Sequence, residues 1–96
     1  MRLRDQISDL SETIRTAAAA HGARDVRLFG SVARGEEATV SDVDFLVSLE
    51  PGRTLLDLAR LELQLEALLG RRVDVVTEGG LREPIRSTAL RESVRV

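Results

Sequence analysis

The sequence predicts an α/β or α+β domain in which helices pack against a small sheet. Segments with helical and with strand periodicity alternate along the chain, and glycine or proline stands at most of their boundaries. The length of 96 residues suits one domain. With 43% hydrophobic residues, the chain can form one modest core. We therefore expect a single domain over residues 1–96.

The first half of the chain predicts one long helix and two strands. Apolar residues recur on one helical stripe over residues 2–21, which predicts the first helix. The apolar segment 26–29 predicts a strand that ends at Gly30. A short helix should follow, with Gly35 allowing a tight exit into a polar loop. Residues 43–49 predict the second strand.

The second half predicts a helix, a strand and a weaker helix. Thr54 can cap a leucine-rich helix that extends to about Leu69, because its hydroxyl can accept from the first free N–H groups. Residues 72–77 predict the third strand, and the two glycines at 79–80 predict a loop. A last helix is expected over about residues 84–93, with a proline in its first turn.

The leucine-rich helix has more apolar residues than one face requires. One arc should face the sheet, and it consists of Leu58, Leu61, Leu65, Leu68 and Leu69. The second arc lies roughly opposite and consists of Leu56, Ala59, Leu63 and Ala67. This second arc should pack either on the first or last helix or on another protein chain.

The composition argues against several kinds of site and partner. The absence of cysteine excludes disulfides and thiolate metal sites. The net charge is −2 and no basic stripe is visible, so we expect no direct nucleic-acid binding. No segment resembles a signal peptide or reaches the ~18 apolar residues of a membrane span, which predicts a soluble, cytoplasmic protein. All 14 basic residues are arginine, so any side-chain cation on a phosphate must be an arginine.

A candidate phosphate site lies where the first strand should pass into the short helix. Backbone N–H groups at such a helix start bind phosphate through their hydrogen bonds and the helix dipole. Gly30 would let the backbone approach a ligand closely. Ser31 can cap the short helix and offer its hydroxyl to the terminal phosphate. We therefore predict that Gly30 and Ser31 bind a nucleotide.

Three aspartates form a candidate metal site. Asp42 and Asp44 are two residues apart at a strand start, so they point to one face with Cα atoms about 6.6–6.8 Å apart. Carboxylates at this spacing can share magnesium, which also binds triphosphate oxygens, and they suit a two-metal site. Asp74 lies in an apolar strand, where an unpaired acid is costly. If the third strand pairs near the second, Asp74 can join the other two.

Each part of this pattern also has a purely structural explanation. A Gly-Ser pair is common in turns, an Asp-X-Asp pair often lies on a solvated edge, and Asp74 could form a salt bridge with Arg71 or Arg72. Here the phosphate loop, the paired acids and the third acid occur together, each beside its own predicted strand. This combination favours a nucleotide and metal site.

The segment LFGSVARGEEATVSDVDFLV resembles the signature of the polymerase-β nucleotidyltransferase superfamily: Gly-Ser, ten residues, then Asp-X-Asp. The chain is most similar to the minimal nucleotidyltransferase branch, including the segment VDVVTEGGLREPIRSTALRESV. The resemblance implies a polymerase-β-like fold, with a small mixed sheet flanked by helices. It also implies a magnesium-dependent enzyme in which Asp42, Asp44 and Asp74 are catalytic and hold Mg²⁺, with two ions expected, while Gly30 and Ser31 bind the phosphates of ATP.

Arg34 matches an arginine that is common in this branch. The resemblance makes it a candidate nucleotide-binding residue that contacts a phosphate. Its structural alternative is a surface salt bridge with Glu36 or Glu37.

The resemblance further implies an antitoxin that transfers AMP from ATP to a tyrosine of a HEPN-domain ribonuclease toxin. The chain contains no tyrosine, so such an acceptor must belong to another molecule, and we expect a homo- or hetero-oligomer. Two alternatives remain open. The domain could be a catalytically silent antitoxin that neutralises its partner by steric binding, or it could transfer a nucleotide to a small molecule.

Overall fold

The computed structural model of the protein describes residues 2–36 and 42–96. Most of the predicted polar loop, residues 37–41, therefore lies outside the described residues, as does Met1. The helices are α1 (Leu3–Asp9), α2 (Ser11–Ala20), α3 (Gly30–Arg34), α4 (Leu55–Leu69) and α5 (Ile85–Glu92). The strands are β1 (Ala23–Phe29), β2 (Val43–Leu49), β3 (Val73–Thr77) and β4 (Val94–Arg95).

The four strands form one mixed sheet in the order β3-β2-β1-β4. Strand β1 pairs antiparallel with both β2 and β4, whereas β2 pairs parallel with β3. The parallel pair is joined by α4, as a crossover connection requires. Helices flanking a small mixed sheet confirm the predicted fold class.

The buried core lies between the sheet and the helices. Strand β2 is the most buried strand, and the side chains of Val43 and Phe45 are inaccessible to solvent. Ile14 of α2 and Val32 of α3 are equally buried, and Leu61 of α4 is 1% exposed. Because β2 is central and buried, the residues at its start are held in a fixed place, and these include the first two predicted metal ligands.

The predicted first helix over residues 2–21 is wrong in one respect, since it is two helices separated at Leu10. The backbone of Leu10 leaves the α-helical region, with φ −96° and ψ 10°. Its N–H is shared between the carbonyl oxygens of Gln6 and Ile7, both at 3.1 Å. The break follows Ser8 and Asp9, whose side chains compete with helical hydrogen bonds and disfavour helix interiors. The apolar stripe alone could not reveal this interruption.

Two short elements near the C-terminal end were not predicted. The glycines expected in a loop belong to a 3₁₀ helix, Glu78–Gly80, in which the Thr77 hydroxyl accepts from the N–H of Gly80 at 3.2 Å. Strand β4 extends the sheet by pairing Val94 with Leu28. Two residues are too few to produce a periodic signal, so β4 is defined only by its partner strand.

Helix α4 begins and ends as predicted. The Thr54 hydroxyl accepts from the N–H of Leu56, and the Asp57 carboxylate accepts from the N–H of Thr54 at 2.9 Å, which completes a capping box. Gly70 ends the helix in the left-handed conformation, with φ 67°. The arc expected to face the sheet does so: Leu58, Leu61, Leu65 and Leu69 are buried, and Leu68 is partly buried.

Two glutamates on α4 cover the free edge of β3. The carboxylate of Glu62 accepts from the N–H of Val75 at 2.8 Å, and that of Glu66 accepts from the N–H of Val73 at 3.0 Å. Exposed strand edges otherwise offer unpaired N–H groups to other chains. The two glutamates therefore hold β3, and with it Asp74, against the helix.

The second arc of α4 does not pack on the first or last helix, so that interpretation was wrong. Leu56 is 58% exposed and Leu63 is 67% exposed, while Ala59 and Ala67 are also exposed. Helix α2 covers a different side of α4, where His21 Nε2 lies 2.9 Å from Gln64 Oε1. The second arc is therefore an apolar surface. In the described ranges, none of the helices is both long and apolar enough to cross a membrane.

Candidate active site

The chain turns sharply where β1 passes into α3. Phe29 ends the strand in an extended conformation, and Gly30 adopts φ 77°, a value that favours glycine. Helix α3 ends at Gly35, whose φ of 72° gives the tight exit that was predicted. Ser31 was expected to cap α3, and this was wrong. Helix α3 begins at Gly30, so Phe29 occupies the capping position and Ser31 lies inside the first turn.

Gly30 lies directly against the carboxylate of Asp44. Phe29 is paired with Asp44 across β1 and β2, so the next residue passes beside the Asp44 side chain. A Cβ atom at position 30 would collide with Asp44 Oδ2 and lie 3.3 Å from Cγ. The absence of a side chain at Gly30 thus lets the backbone of this turn lie against the acid.

Strand pairing brings the third acid beside the first two. Strands β2 and β3 are parallel and in register, and Asp44 is paired with Asp74. Paired residues on neighbouring strands point to the same face, as do Asp42 and Asp44, which are two apart. Arg72, at the entry to β3, lies near Asp42, with 4.0 Å from Nε to Oδ1. The expected proximity of the third strand to the second is therefore confirmed.

The acids repel one another. Burial is the largest cause that raises the pKa of Asp44, from 3.8 to about 6, followed by the negative charges of Asp74 and Asp42. The positive charge of Arg34 opposes the shift. Negative charges on paired residues favour a bound cation, because a cation would offset their repulsion.

The donor set suits magnesium in its chemistry. Carboxylate oxygens are the ligands that this ion prefers, and it commonly takes only one or two of them alongside phosphate oxygens and water. Among residues 2–36 and 42–96, no group of three or more acidic or histidine side chains already converges on a metal position.

Arg34 forms two ion pairs at the end of α3. Its Nε lies 2.7 Å from the Glu36 carboxylate, and one terminal nitrogen lies 2.8 Å from the carboxylate of Glu92. The salt bridge with Glu36 was the structural alternative given for this residue, whereas Glu37, the other candidate, lies outside the described residues. The Glu92 pair was missed, because 58 residues separate the two and no local pattern links them.

A comparison with protein families agrees with this geometry. A model described as a nucleotidyltransferase domain matches residues 7–96. The chain belongs to the nucleotidyltransferase domain family.

Relatives of this nucleotidyltransferase domain are named as protein adenylyltransferases. The chain is 49% identical over 75 residues to protein adenylyltransferase MntA of Thermococcus cleftensis, which covers 78% of this chain and 76% of that protein. It is 42% identical over 76 residues to a protein assigned as a protein adenylyltransferase in Methanocaldococcus jannaschii. That match covers 79% of this chain and 82% of the relative.

Solved structures share the fold of this nucleotidyltransferase domain. A structure assigned as a minimal nucleotidyltransferase matches with a TM-score of 0.87 and 51% identity, covering 100% of this chain and 97% of that one. A crystal structure of a toxin–antitoxin with AMP-PNP matches with a TM-score of 0.75 and 18% identity. The match covers 88% of this chain and 70% of that one. At 18% identity the second match supports the fold alone.

Proposed function

We propose that this domain, residues 1–96, is an antitoxin nucleotidyltransferase that transfers AMP from ATP to a tyrosine of a HEPN-domain ribonuclease toxin. The observation that carries the proposal is the contact between Gly30 and Asp44, since it joins the turn that we propose binds phosphate to an acid that we propose binds metal. The names of the relatives, protein adenylyltransferases, support a protein acceptor. Because the reaction consumes ATP, we place the protein in the cytoplasm.

Each site residue has a proposed role. The backbone at Gly30 and the Ser31 hydroxyl bind the β- and γ-phosphates. Asp42, Asp44 and Asp74 hold two Mg²⁺ ions. Magnesium bound there supplies charge stabilisation to the reacting phosphate and to the leaving pyrophosphate. The aspartates orient the triphosphate, so that the acceptor oxygen attacks the α-phosphorus and AMP is transferred.

Arg34 is proposed to contact a phosphate. In the structure the side chains of Glu36 and Glu92 are 64% and 33% exposed, and solvent-exposed ion pairs are weak, so a triphosphate can replace either partner. Its positive charge lowers the pKa of Asp44, against the larger effects of burial and of the other two acids.

The proposed acceptor belongs to a partner. The chain has no tyrosine, and the second arc of α4 exposes Leu56 and Leu63 to solvent. Exposed apolar patches of this kind often mark protein interaction sites. We assign the second arc to the toxin interface, in a complex whose partner carries the acceptor tyrosine.

The test is a transfer assay with ATP labelled on the α-phosphate, Mg²⁺ and the toxin encoded beside this chain. Label should move to a toxin tyrosine with the wild-type chain and be lost with Asp44→Asn. Asp9→Asn is the matched control, since it makes the same change at an exposed position on α1. Neutralisation of the toxin without any transfer would instead support a silent, steric antitoxin. Efficient labelling of a small molecule by a chain that binds no toxin would contradict the antitoxin role.

A further inference from the structure

An apolar slot lies beside the phosphate loop, between α3 and α5. Its volume is about 250 Å³. The walls are formed mainly by apolar groups, with Phe29 on one side and Pro84, Ile85 and Ala89 on the other. Ile85 is 60% exposed, although it is a large apolar residue at the first position of a helix. Neither the core nor the proposed acid site accounts for this slot.

The slot adjoins the proposed phosphate site. Gly30 lines both, and Arg34 and Glu92 stand at the slot as an ion pair with a separation of 2.8 Å. A ligand with its phosphates on Gly30 can therefore extend into the slot without leaving the protein surface. The three aspartates do not line the slot.

Size and polarity restrict what the slot can hold. Pockets for whole drug-sized ligands start at roughly 300 Å³, so this slot suits one planar ring system rather than a complete nucleotide. The side chain of Thr88 is the one neutral hydrogen-bonding side chain among the lining residues. A ring would thus be held by apolar contact, with little reading of its polar edge.

We propose that the slot between α3 and α5 binds the base of the nucleotide, with Ile85 as its principal apolar contact. The proposal rests on the proposed function, because it assumes that the triphosphate lies on Gly30. The base is favoured over the acceptor's tyrosine ring because an acceptor hydroxyl must reach the aspartates, and these lie outside the slot.

The test compares the binding of Mg·ATP and of Mg·tripolyphosphate, the same phosphate chain without a nucleoside, by calorimetry on the isolated chain. Ile85→Asp should weaken ATP binding about tenfold and tripolyphosphate binding clearly less, because the added charge acts on both ligands but the lost apolar contact acts on ATP alone. Ile85→Leu should restore ATP binding. Leu55→Asp is the matched control, because Leu55 is also an exposed apolar residue at the first position of a helix. It should change neither affinity.

Several outcomes would overturn the proposal. Wild-type ATP affinity in Ile85→Asp would show that the base lies elsewhere, and a raised KM for the protein acceptor in the same variant would assign the slot to the tyrosine ring. Equal weakening of both ligands would show that Ile85 acts on the phosphate site or on folding. A wild-type chain that binds neither ligand would overturn the proposed function as well, whereas normal binding by Ile85→Asp would leave that function standing.

Discussion

The backbone of Gly30 and the carboxylate of Asp44 occupy adjoining space, and a single added methyl group at position 30 would collide with Asp44 Oδ2. The contact arises because Phe29 and Asp44 are paired across the antiparallel strands, which carries the following glycine past the acid. The proposed phosphate-binding turn and a proposed metal-binding acid are thereby joined at one point.

Gly30→Ala should reduce both stability and nucleotide binding. A non-glycine residue at φ 77° costs about 1–2 kcal/mol, and the collision with Asp44 adds to this. Gly52→Ala is the control, because Gly52 has φ 88° but nothing within 4 Å of a built Cβ. Urea unfolding should therefore show a larger loss for Gly30→Ala than for Gly52→Ala, and ATP binding should fall only in the former. Equal losses in the two variants would show that the collision is relieved at no cost.

Replacing any of the three aspartates should impair nucleotidyl transfer while leaving the fold intact. Asp42→Asn and Asp44→Asn should keep the circular dichroism spectrum and lose nucleotidyl transfer, because each removes a charge from the proposed metal site, worth several kcal/mol. Asp74→Asn should raise the Mg²⁺ concentration needed for half-maximal transfer, since it weakens the same site from the neighbouring strand. Near-normal transfer by both Asp42→Asn and Asp44→Asn would contradict the metal assignment.

Asp44 should make the stability of the metal-free protein depend on pH. The folded pKa of about 6 lies above the ordinary 3.8, so between these values the folded state binds more protons than the unfolded state. The contribution of Asp44 to stability should therefore fall as pH rises from about 4 to 6 and stay lowered above that range. With a chelator present at pH 7.5, the free energy of unfolding of Asp44→Asn should exceed that of the wild-type protein by about 1 kcal/mol. This value allows for solvent screening of a half-buried group. The difference should shrink towards pH 4, and a constant difference from pH 4 to 8 would contradict the assignment of the shift to Asp44.

Leu63→Glu should separate the protein from its partner without unfolding it. Leu63 is 67% exposed on α4, so a charge there should change the free energy of unfolding by no more than about 0.5 kcal/mol. The same charge in a toxin interface should abolish co-purification of the toxin encoded beside this chain. Gln6→Glu, at an exposed position of α1, is the control and should leave the complex intact. A Leu63→Glu variant that unfolds would show that the second arc is part of a core, and an intact complex would place the interface on another face.

Local sequence signals determined the elements on which the site is built. Strand β2 has the predicted bounds because an apolar run between polar segments identifies a buried strand, and α4 has them because Thr54 and Gly70 supply a cap and a stop. The Gly30-Ser31 turn and the spacing of Asp42 and Asp44 were visible in the same way. These features depend on residues within about one turn or one strand of each other, and such short-range interactions are encoded directly in the order of residues.

Only the tertiary structure decided how the distant parts meet. The pairing of Asp44 with Asp74 depends on the parallel register of β2 and β3, which a one-residue slip would destroy. The ion pair of Arg34 with Glu92 depends on where α5 packs after the whole sheet has formed. The second arc of α4 has the same apolar pattern as the buried arc, yet it lies in solvent, because only one face of a helix can pack against the sheet. Register and packing are set by the burial of the entire core, so no single segment of the sequence contains them.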